Sequence, residues 1–336
     1  MDIKNQKILL IGGCGFIGHN LALYLKDKGA DPHIVDSLAI NNLYSIDNED
    51  IKNKVLYSAI LNNRIDLLKE KGIKLIIQDA RDYQSVSRIY DKIDPDIIIH
   101  LAAVSHANKS NKDPHNTFDH SLRTLENTLD FAKNKKKHVI YLSSSMVYGN
   151  FDGKEVDENT LCNPIGIYGT LKLSGELLVK AYNNVFDLPY TIIRPSALYG
   201  ERCVSRRVGQ IFIENAIQNL DININGSGDE KLDFTYIEDL IQGIYKSCIK
   251  KDSINQTFNI TYGNSRKLSE LADLVKSEFP RIKINYIGRE KFMPERGTLN
   301  VNKARKIIDY SPQYKLDDGY IKYIQWYKNF WKKSLK

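Results

Sequence analysis

Two groups of residues have the types and spacing to do chemistry. The first is Gly12-Gly13-Cys14-Gly15-Phe16-Ile17-Gly18, which follows the apolar run Lys7–Ile11 and opens a segment of helical spacing. Glycine at 12 permits a tight turn, at 15 it lets a pyrophosphate approach the backbone at a helix N-terminus, and at 18 it allows close helix–sheet packing. Asp36 closes the next apolar run, 18 residues past Gly18. A carboxylate there accepts hydrogen bonds from an adenosine ribose and repels a 2′-phosphate. The residues after it, Ser37 and Leu38, supply no arginine, so NAD is expected rather than NADP. The second group is Tyr168-Gly-Thr-Leu-Lys172, with Ser144 upstream in SSSMVYG. Tyr and Lys four apart share one helix face. A nearby ammonium and the charge of a nicotinamide lower a phenol's pKa, so Tyr168 is expected to act as a base near neutral pH. The Ser144 hydroxyl would hold the same substrate oxygen. Either pattern alone arises by chance; together, at this distance, they are specific.

These groups need elements to hold them. Apolar runs of strand length lie at Lys7–Ile11, His33–Asp36, Lys74–Gln78, Asp96–Leu101, His138–Ser143 and Tyr190–Arg194. They are rich in Ile, Leu and Val and do not alternate, so both sheet faces are expected to be covered. Segments with helical spacing lie between them, at Phe16–Lys28, Asp82–Ile93, Phe118–Lys133 and Tyr168–Val185. Six strands alternating with helices predict an α/β fold with a parallel, doubly wound sheet. The long connection Asn41–Gly72 contains an amphipathic helix ended by Gly72, which either packs on a partner subunit or serves as scaffold. After Arg194–Gly200 the strands shorten and mix with helices at Arg207–Gln218, Ile237–Lys250, Leu268–Glu278 and Asp317–Trp331. We therefore expect a dinucleotide-binding domain over residues 1–195 and a smaller α/β substrate domain over 196–336, some of whose segments return to the first. The last helix carries Tyr320, Tyr323, Trp326, Tyr327, Phe330 and Trp331. It is expected to pack on the protein rather than lie on a membrane surface.

Composition narrows the field. Hydrophobic residues are 42% and charged residues 26% of the 336, which excludes a disordered, collagen-like or coiled-coil chain. The formal charge of +7 is spread along the chain without a nucleic-acid motif, so a solvated surface is expected and nucleic acid is not. Cys14, Cys162, Cys203 and Cys248 are far apart and form no CxxC or Cys/His cluster. That fits a reduced cytoplasm and argues against a metal site. No signal peptide and no membrane span is expected.

On these motifs the chain resembles the extended short-chain dehydrogenase/reductases, and within them the NAD-dependent epimerase/dehydratase family acting on nucleotide sugars. GGCGFIG, Asp36, Asp79-Ala80-Arg81-Asp82, His100-Leu-Ala-Ala103, SSSMVYG, YGTLK, RPSALYG and LDFTYIED fall in the family's order nearly end to end. HLAAVSHANKSNKDP is similar to the segment found in dTDP-glucose dehydratases. The resemblance implies a Rossmann-type fold and bound NAD. It places Phe16, Ile17 and Ser37 with the glycines and Asp36 at the cofactor, and Asp79 and Ala80 beside its adenine. Leu101, Ala102 and Ala103 would line it and Lys172 would bridge the nicotinamide ribose. Tyr168 would be the acid/base with Ser144 as partner, and Ser105, His106, Ser145 and Met146 would face the substrate. It also implies a homodimer or higher homo-oligomer through Phe118–Lys133 and Tyr168–Val185, although Leu122, Leu125 and Leu129, or Leu173, Leu177 and Val179, could equally be intramolecular core. A role in surface-polysaccharide synthesis is likewise an expectation from the family.

The departures carry more information. The family's 4,6-dehydratases and UDP-glucuronate decarboxylases have a carboxylate two residues before the Tyr of VYG. In dehydratases it moves the proton needed to eliminate water. Here that position is Met146, preceded by Ser145, and neither transfers protons at neutral pH. Dehydratase activity is therefore not expected. The family's Asn in R-x-x-N-x-x-G is Ala197, its arginine before Asp-Phe/Tyr is Leu232, and the usual Asn after HLAA is Ser121. Each lost charge-assisted contact to the diphosphate is worth about 1.5–3 kcal/mol, so replacements are expected. The candidates are Arg202, Arg206, Arg207, Lys231 and, in PERG, Arg296. The expected reaction is epimerisation of a nucleotide sugar at C4 through a transient 4-keto sugar. The alternative is a net NAD-dependent dehydrogenase or ketoreductase, which would use the same residues but release its cofactor each cycle. A non-catalytic NAD-binding protein is disfavoured by the intact Ser144, Tyr168 and Lys172.

Overall fold

The computed structural model describes residues 2–47, 52–104, 107–288 and 294–334. Seven strands form one sheet, in the order Gln256–Asn259, Tyr190–Arg194, His138–Leu142, Ile97–His100, Lys7–Ile11, Asp31–Asp36, Lys74–Ile77. Every pairing is parallel. Along the first strand Ile8 and Leu10 enter one core and Leu9 and Ile11 the other, so both faces are covered as the unalternating sequence predicts. Chain order reverses between Lys7–Ile11 and Ile97–His100. The crevice beyond the C-terminal ends of these two strands is where an open α/β sheet takes its ligand.

The seventh strand, Gln256–Asn259, comes from the C-terminal half and pairs with Tyr190–Arg194. It was not expected, because QTFN is too short and polar to read as a strand. The helix Ile237–Ile249 packs in the same core as the first helix, Phe16–Asp27. The C-terminal half also holds the helices Val208–Ile217, Leu268–Glu278, Asn302–Ile308 and Leu316–Ser334, the parallel pair Ile222–Asn225 and Ile284–Ile287, and two shorter strand pairs.

The helix of the long connection runs over Lys54–Glu70, and its buried face is Leu56, Tyr57, Ile60, Leu61, Arg64 and Leu68. That face packs within the chain's own core, so the helix serves as scaffold there. The buried Glu214 carboxylate gathers Tyr57 Oη (2.7 Å), Asn53 Nδ2 (3.1 Å), Gln210 Nε2 (2.7 Å) and Tyr327 Oη (2.6 Å). A carboxylate buried among neutral groups is tolerated only when its oxygens are satisfied in this way. Glu214 thus joins the inserted helix, Val208–Ile217 and the terminal helix. In the terminal helix Tyr320, Tyr323, Ile324 and Tyr327 are buried, and Trp326, Phe330 and Trp331 pack against the same core. No helix among the described residues is long and apolar enough to cross a membrane. Leu125, Leu129 and Val179 are core, whereas Leu177 is 60% exposed.

His100, at the end of the fourth strand, is fully buried and its Nδ1 meets Thr128 Oγ1 at 3.0 Å. Burial, with Lys172 adding to it, lowers its pKa from 6.5 to about 3. The unfolded chain therefore binds the proton more readily. This residue's contribution is fully present above about pH 6.5 and is lost as the pH falls toward the folded value. Urea midpoints measured from pH 7 to pH 4 should fall, with His100 accounting for up to about 3 kcal/mol by pH 4. A His100→Gln variant should show a shallower acid-side decline, and an unchanged slope would disprove the assignment.

Candidate active site

The glycine-rich loop is built to admit a ligand against its backbone. A Cβ on Gly12, whose φ is +77°, would lie 2.7 Å from Ala102 N, and one on Gly18 would lie 2.4 Å from Gly13 O. Both positions require glycine. At Gly15 the only near atom is Gly12 O at 3.3 Å, which leaves its outer side open. Asp36 Oδ2 accepts from Cys14 N (2.9 Å) and Oδ1 from Leu38 N (2.7 Å). Phe16 and Ile17 begin the first helix, and Ile17 lines the cleft with Leu101 and Ala103. Ala102 forms the wall behind Gly12. The Ser37 hydroxyl accepts from Ala39 N at 3.4 Å. Asp79 is gripped by Arg81, with Nη2 at 2.6 Å, and Ala80 O accepts from Asn127 Nδ2 at 2.9 Å. The cradle, the open backbone and the carboxylate at the second strand's end together fit a dinucleotide.

Ser144, Tyr168 and Lys172 converge in one cleft of about 1170 Å³. Ser144 ends the segment after the fifth strand, and its Oγ accepts from Met146 N at 3.1 Å, capping the short turn Ser145–Tyr148. Tyr168 and Lys172 lie on the helix Ile167–Phe186. The Ser144 hydroxyl is near enough to the Tyr168 phenol to lower its pKa. Lys172 Nζ donates to Leu142 O at 2.5 Å and stands 5.0 Å above the Tyr141 ring. Burial lowers its pKa to about 8 against the pull of Glu176.

The chain's own groups do not by themselves lower the phenol pKa. Burial is the largest influence on Tyr168 and raises it above 10. Arg207, the Ser144 hydroxyl and Arg296 oppose that rise, whereas the Lys172 ammonium is engaged with a backbone carbonyl.

One buried ion pair holds these elements in register. Arg194 Nε and Nη2 grip Glu176 at 2.9 and 2.7 Å, with both side chains almost fully buried. Ser143 Oγ donates to Glu176 at 2.5 Å, Arg194 Nη1 donates to Tyr148 Oη at 2.9 Å, and Tyr148 Oη donates to Asn259 Oδ1 at 2.8 Å. Glu176 is one turn past Lys172, so the pair fixes the helix of Tyr168 to the strand ends flanking Ser144.

The substrate-side candidates separate. Ser145, Met146, Arg206, Arg207, Lys231 and Arg296 line the cleft. Arg202 does not. Its φ of +64° turns it toward the first helix, where Nε donates to His19 Nε2 (3.0 Å) and Nη2 to Asn20 Oδ1 (3.1 Å). The expectation that Arg202 replaces a phosphate contact is thereby corrected. Ser105 and His106 lie outside the described residues. Ser121 is buried within a π-turn over Asp119–Arg123. Ala197 lines the cleft with a φ of +37°, a region where a β-carbon is strained and asparagine is at ease.

The sequence reading missed Arg64, Glu176 and Arg194. Arg64, from the inserted helix, donates through Nε to Arg202 O (3.0 Å) and through Nη1 to Cys14 O (3.4 Å), tying the glycine-rich loop to the loop of Arg206 and Arg207. The available signal was its place on an otherwise apolar face, four after Ile60 and four before Leu68.

The sequence matches the family described as "NAD dependent epimerase/dehydratase family" over residues 8–261. It is similar to a dTDP-D-glucose 4,6-dehydratase of Dictyostelium discoideum, 29% identical over 80% of this chain, and spans 61% of that relative's length. It is 30% identical to a putative UDP-glucose 4-epimerase of Methanocaldococcus jannaschii, covering 96% of this chain and 98% of the relative. The UDP-glucuronic acid 4-epimerase of Bacillus cereus, crystallised with UDP-glucuronic acid and NAD, superposes with a TM-score of 0.86 at 25% identity, over 96% of this chain and 99% of that one.

Two outcomes follow from this geometry. Removing one partner of the buried pair leaves the other charge unpaired, so Arg194→Met or Glu176→Gln should cost about 3–5 kcal/mol in urea unfolding. A loss under about 1 kcal/mol would show that the pair is not the structural tie described. Ala197→Asn should raise stability by about 0.5–1 kcal/mol, since it relieves a left-handed alanine; a drop in melting temperature would contradict this.

Proposed function

The chain belongs to the NAD dependent epimerase/dehydratase family, and we propose that within it this protein is a nucleotide-sugar epimerase that inverts the sugar at C4. The observation that carries this reading is the cleft where Ser144, Tyr168 and Lys172 meet, beside a thioether at Met146 where dehydratases keep a carboxylate. Epimerisation needs one proton taken and returned. Water elimination needs a further acid–base group, and Met146 cannot serve as one.

The glycine-rich loop, Asp36 and Lys172 would hold NAD, which would supply a reversible hydride acceptor for the sugar carbon. Tyr168 takes the proton from the C4 hydroxyl as the carbon is oxidised and gives it back on reduction. Ser144, beside the phenol in the same cleft, also holds the sugar oxygen. Arg207 and Arg296 favour the phenolate from the sugar side. Lys231, Arg206 and Arg207 offer positive charge along the cleft for a diphosphate. The cleft of about 1170 Å³ has room for a nucleotide diphosphate sugar.

Protein purified without added cofactor should release near-stoichiometric NAD on denaturation. It should convert a UDP- or dTDP-sugar into an isomer without net NADH. Accumulating NADH with a keto-sugar product would replace this reading with a dehydrogenase, and a 4-keto-6-deoxy product would overturn the argument from Met146. Tyr168→Phe should lower kcat by about 10²–10⁴-fold while retaining bound NAD.

A further inference from the structure

Where the family's 4,6-dehydratases present a carboxylate, this chain presents a guanidinium. Arg296 Nη1 lies 2.9 Å from Met146 Sδ, and Nη2 donates to Ser145 Oγ at 2.5 Å and Ser196 Oγ at 2.9 Å. The segment bearing it is tied on both sides. Glu295 O accepts from Phe151 N (2.9 Å), Thr298 O accepts from Val156 N (3.1 Å), and Leu299 N donates to the buried Asp233 (3.1 Å). The guanidinium also lies 5.8 Å from the Phe151 ring centre. Arg296 is a fixed part of the cleft floor.

Its partners do not match its charge. They are two hydroxyls and a thioether, and among the described residues no carboxylate is within hydrogen-bond reach of it. Nε is buried without a partner. Burial lowers its pKa to about 10, with Arg207 adding to the effect and the more distant charges of Asp233 and Tyr168 opposing it. A buried cation with unmet donors is costly unless a ligand brings the counter-charge.

We propose that the substrate is a nucleotide-linked hexuronic acid whose C6 carboxylate is bound by Arg296 with Ser145 and Ser196. This rests on the epimerase reading above. Ser145 follows Ser144 directly, so an anion at Arg296 sits on a carbon beside the one held by Ser144 and Tyr168. A 4,6-elimination acts across C5 and C6, so the position of Met146 faces that side of the sugar. The negative charge that a dehydratase supplies from its own chain here comes from the substrate.

The test compares UDP-glucuronate, UDP-glucose and UDP-N-acetylmuramate, which share base and diphosphate, on the cofactor-loaded protein. The ratio of kcat/KM for glucuronate over glucose should be about 10²-fold in the native protein, the range of a charge-assisted hydrogen bond. It should collapse toward unity in Arg296→Gln, chiefly through KM, and be partly kept in Arg296→Lys. A native ratio near or below unity, or an Arg296→Gln loss equal for both sugars, overturns the proposal. Preference for the muramate, whose carboxylate hangs from C3, overturns the C6 assignment. If Arg296→Gln does not fold, Ser196→Ala carries the same ratio test, and an unchanged ratio there counts against the proposal. If no sugar is turned over, the epimerase reading fails and calorimetric Kd values decide this inference alone. Tighter glucuronate binding lost in Arg296→Gln upholds it, and equal Kd values overturn it.

Discussion

The pair between Glu176 and Arg194 is the constraint on which the site depends. It joins a helix, two strand ends and a short turn that are far apart in sequence, and each of them carries or adjoins a residue of the proposed site. Removing two charges from water is expensive, and their attraction recovers that cost only with good geometry and satisfied remaining valences. Both conditions hold here: the guanidinium is bidentate on the carboxylate, and Ser143 and Tyr148 occupy the remaining positions. Such a pair contributes little net stability compared with an apolar core, but it tolerates one arrangement of its neighbours and few others. The separation of Ser144 from the helix of Tyr168 is therefore set by a charge network beneath the cleft, not by the loops above it.

Above that floor, the positive groups are arranged in depth. Lys172 is held down by a carbonyl, Arg296 by hydroxyls and a thioether, and Arg207 starts a substrate-half helix. Of these, Arg207 and Arg296 oppose the effect of burial on the Tyr168 phenol. The inserted helix reaches the same region from behind. Through Arg64 it touches the glycine-rich loop and the Arg202 carbonyl, and through Tyr57 it reaches Glu214 and so the terminal helix. An insertion that could have been decoration thus braces both binding loops.

What the sequence made legible follows from the range of each interaction. The six strands and their helices could be read because apolar runs and helical spacing are local signals. Asp82 caps its helix through Ser85 N, as a residue of that type before such a helix should. The glycine positions were legible because a turn and a close packing contact exclude every other side chain. The seventh strand escaped because its only claim to the sheet is an open edge offered by Tyr190–Arg194. Arg202 was grouped with Arg206 and Arg207 because they are neighbours in sequence, but with left-handed backbone at 202 its side chain meets the first helix while the other two line the cleft. The partners of Arg296 are about 100 to 150 positions away, and no local pattern records them.

Asp36 has two duties at once. The carboxylate that under the proposed function would read a ribose also staples the glycine-rich loop, through Cys14 N, to the turn that begins at Leu38. A chain drifting toward a 2′-phosphorylated cofactor would have to give up this charge, and with it one anchor of the loop that cradles the pyrophosphate. The route to altered coenzyme preference therefore passes through a poorly binding intermediate unless the loop is re-anchored first, and the order of changes matters as much as their identity.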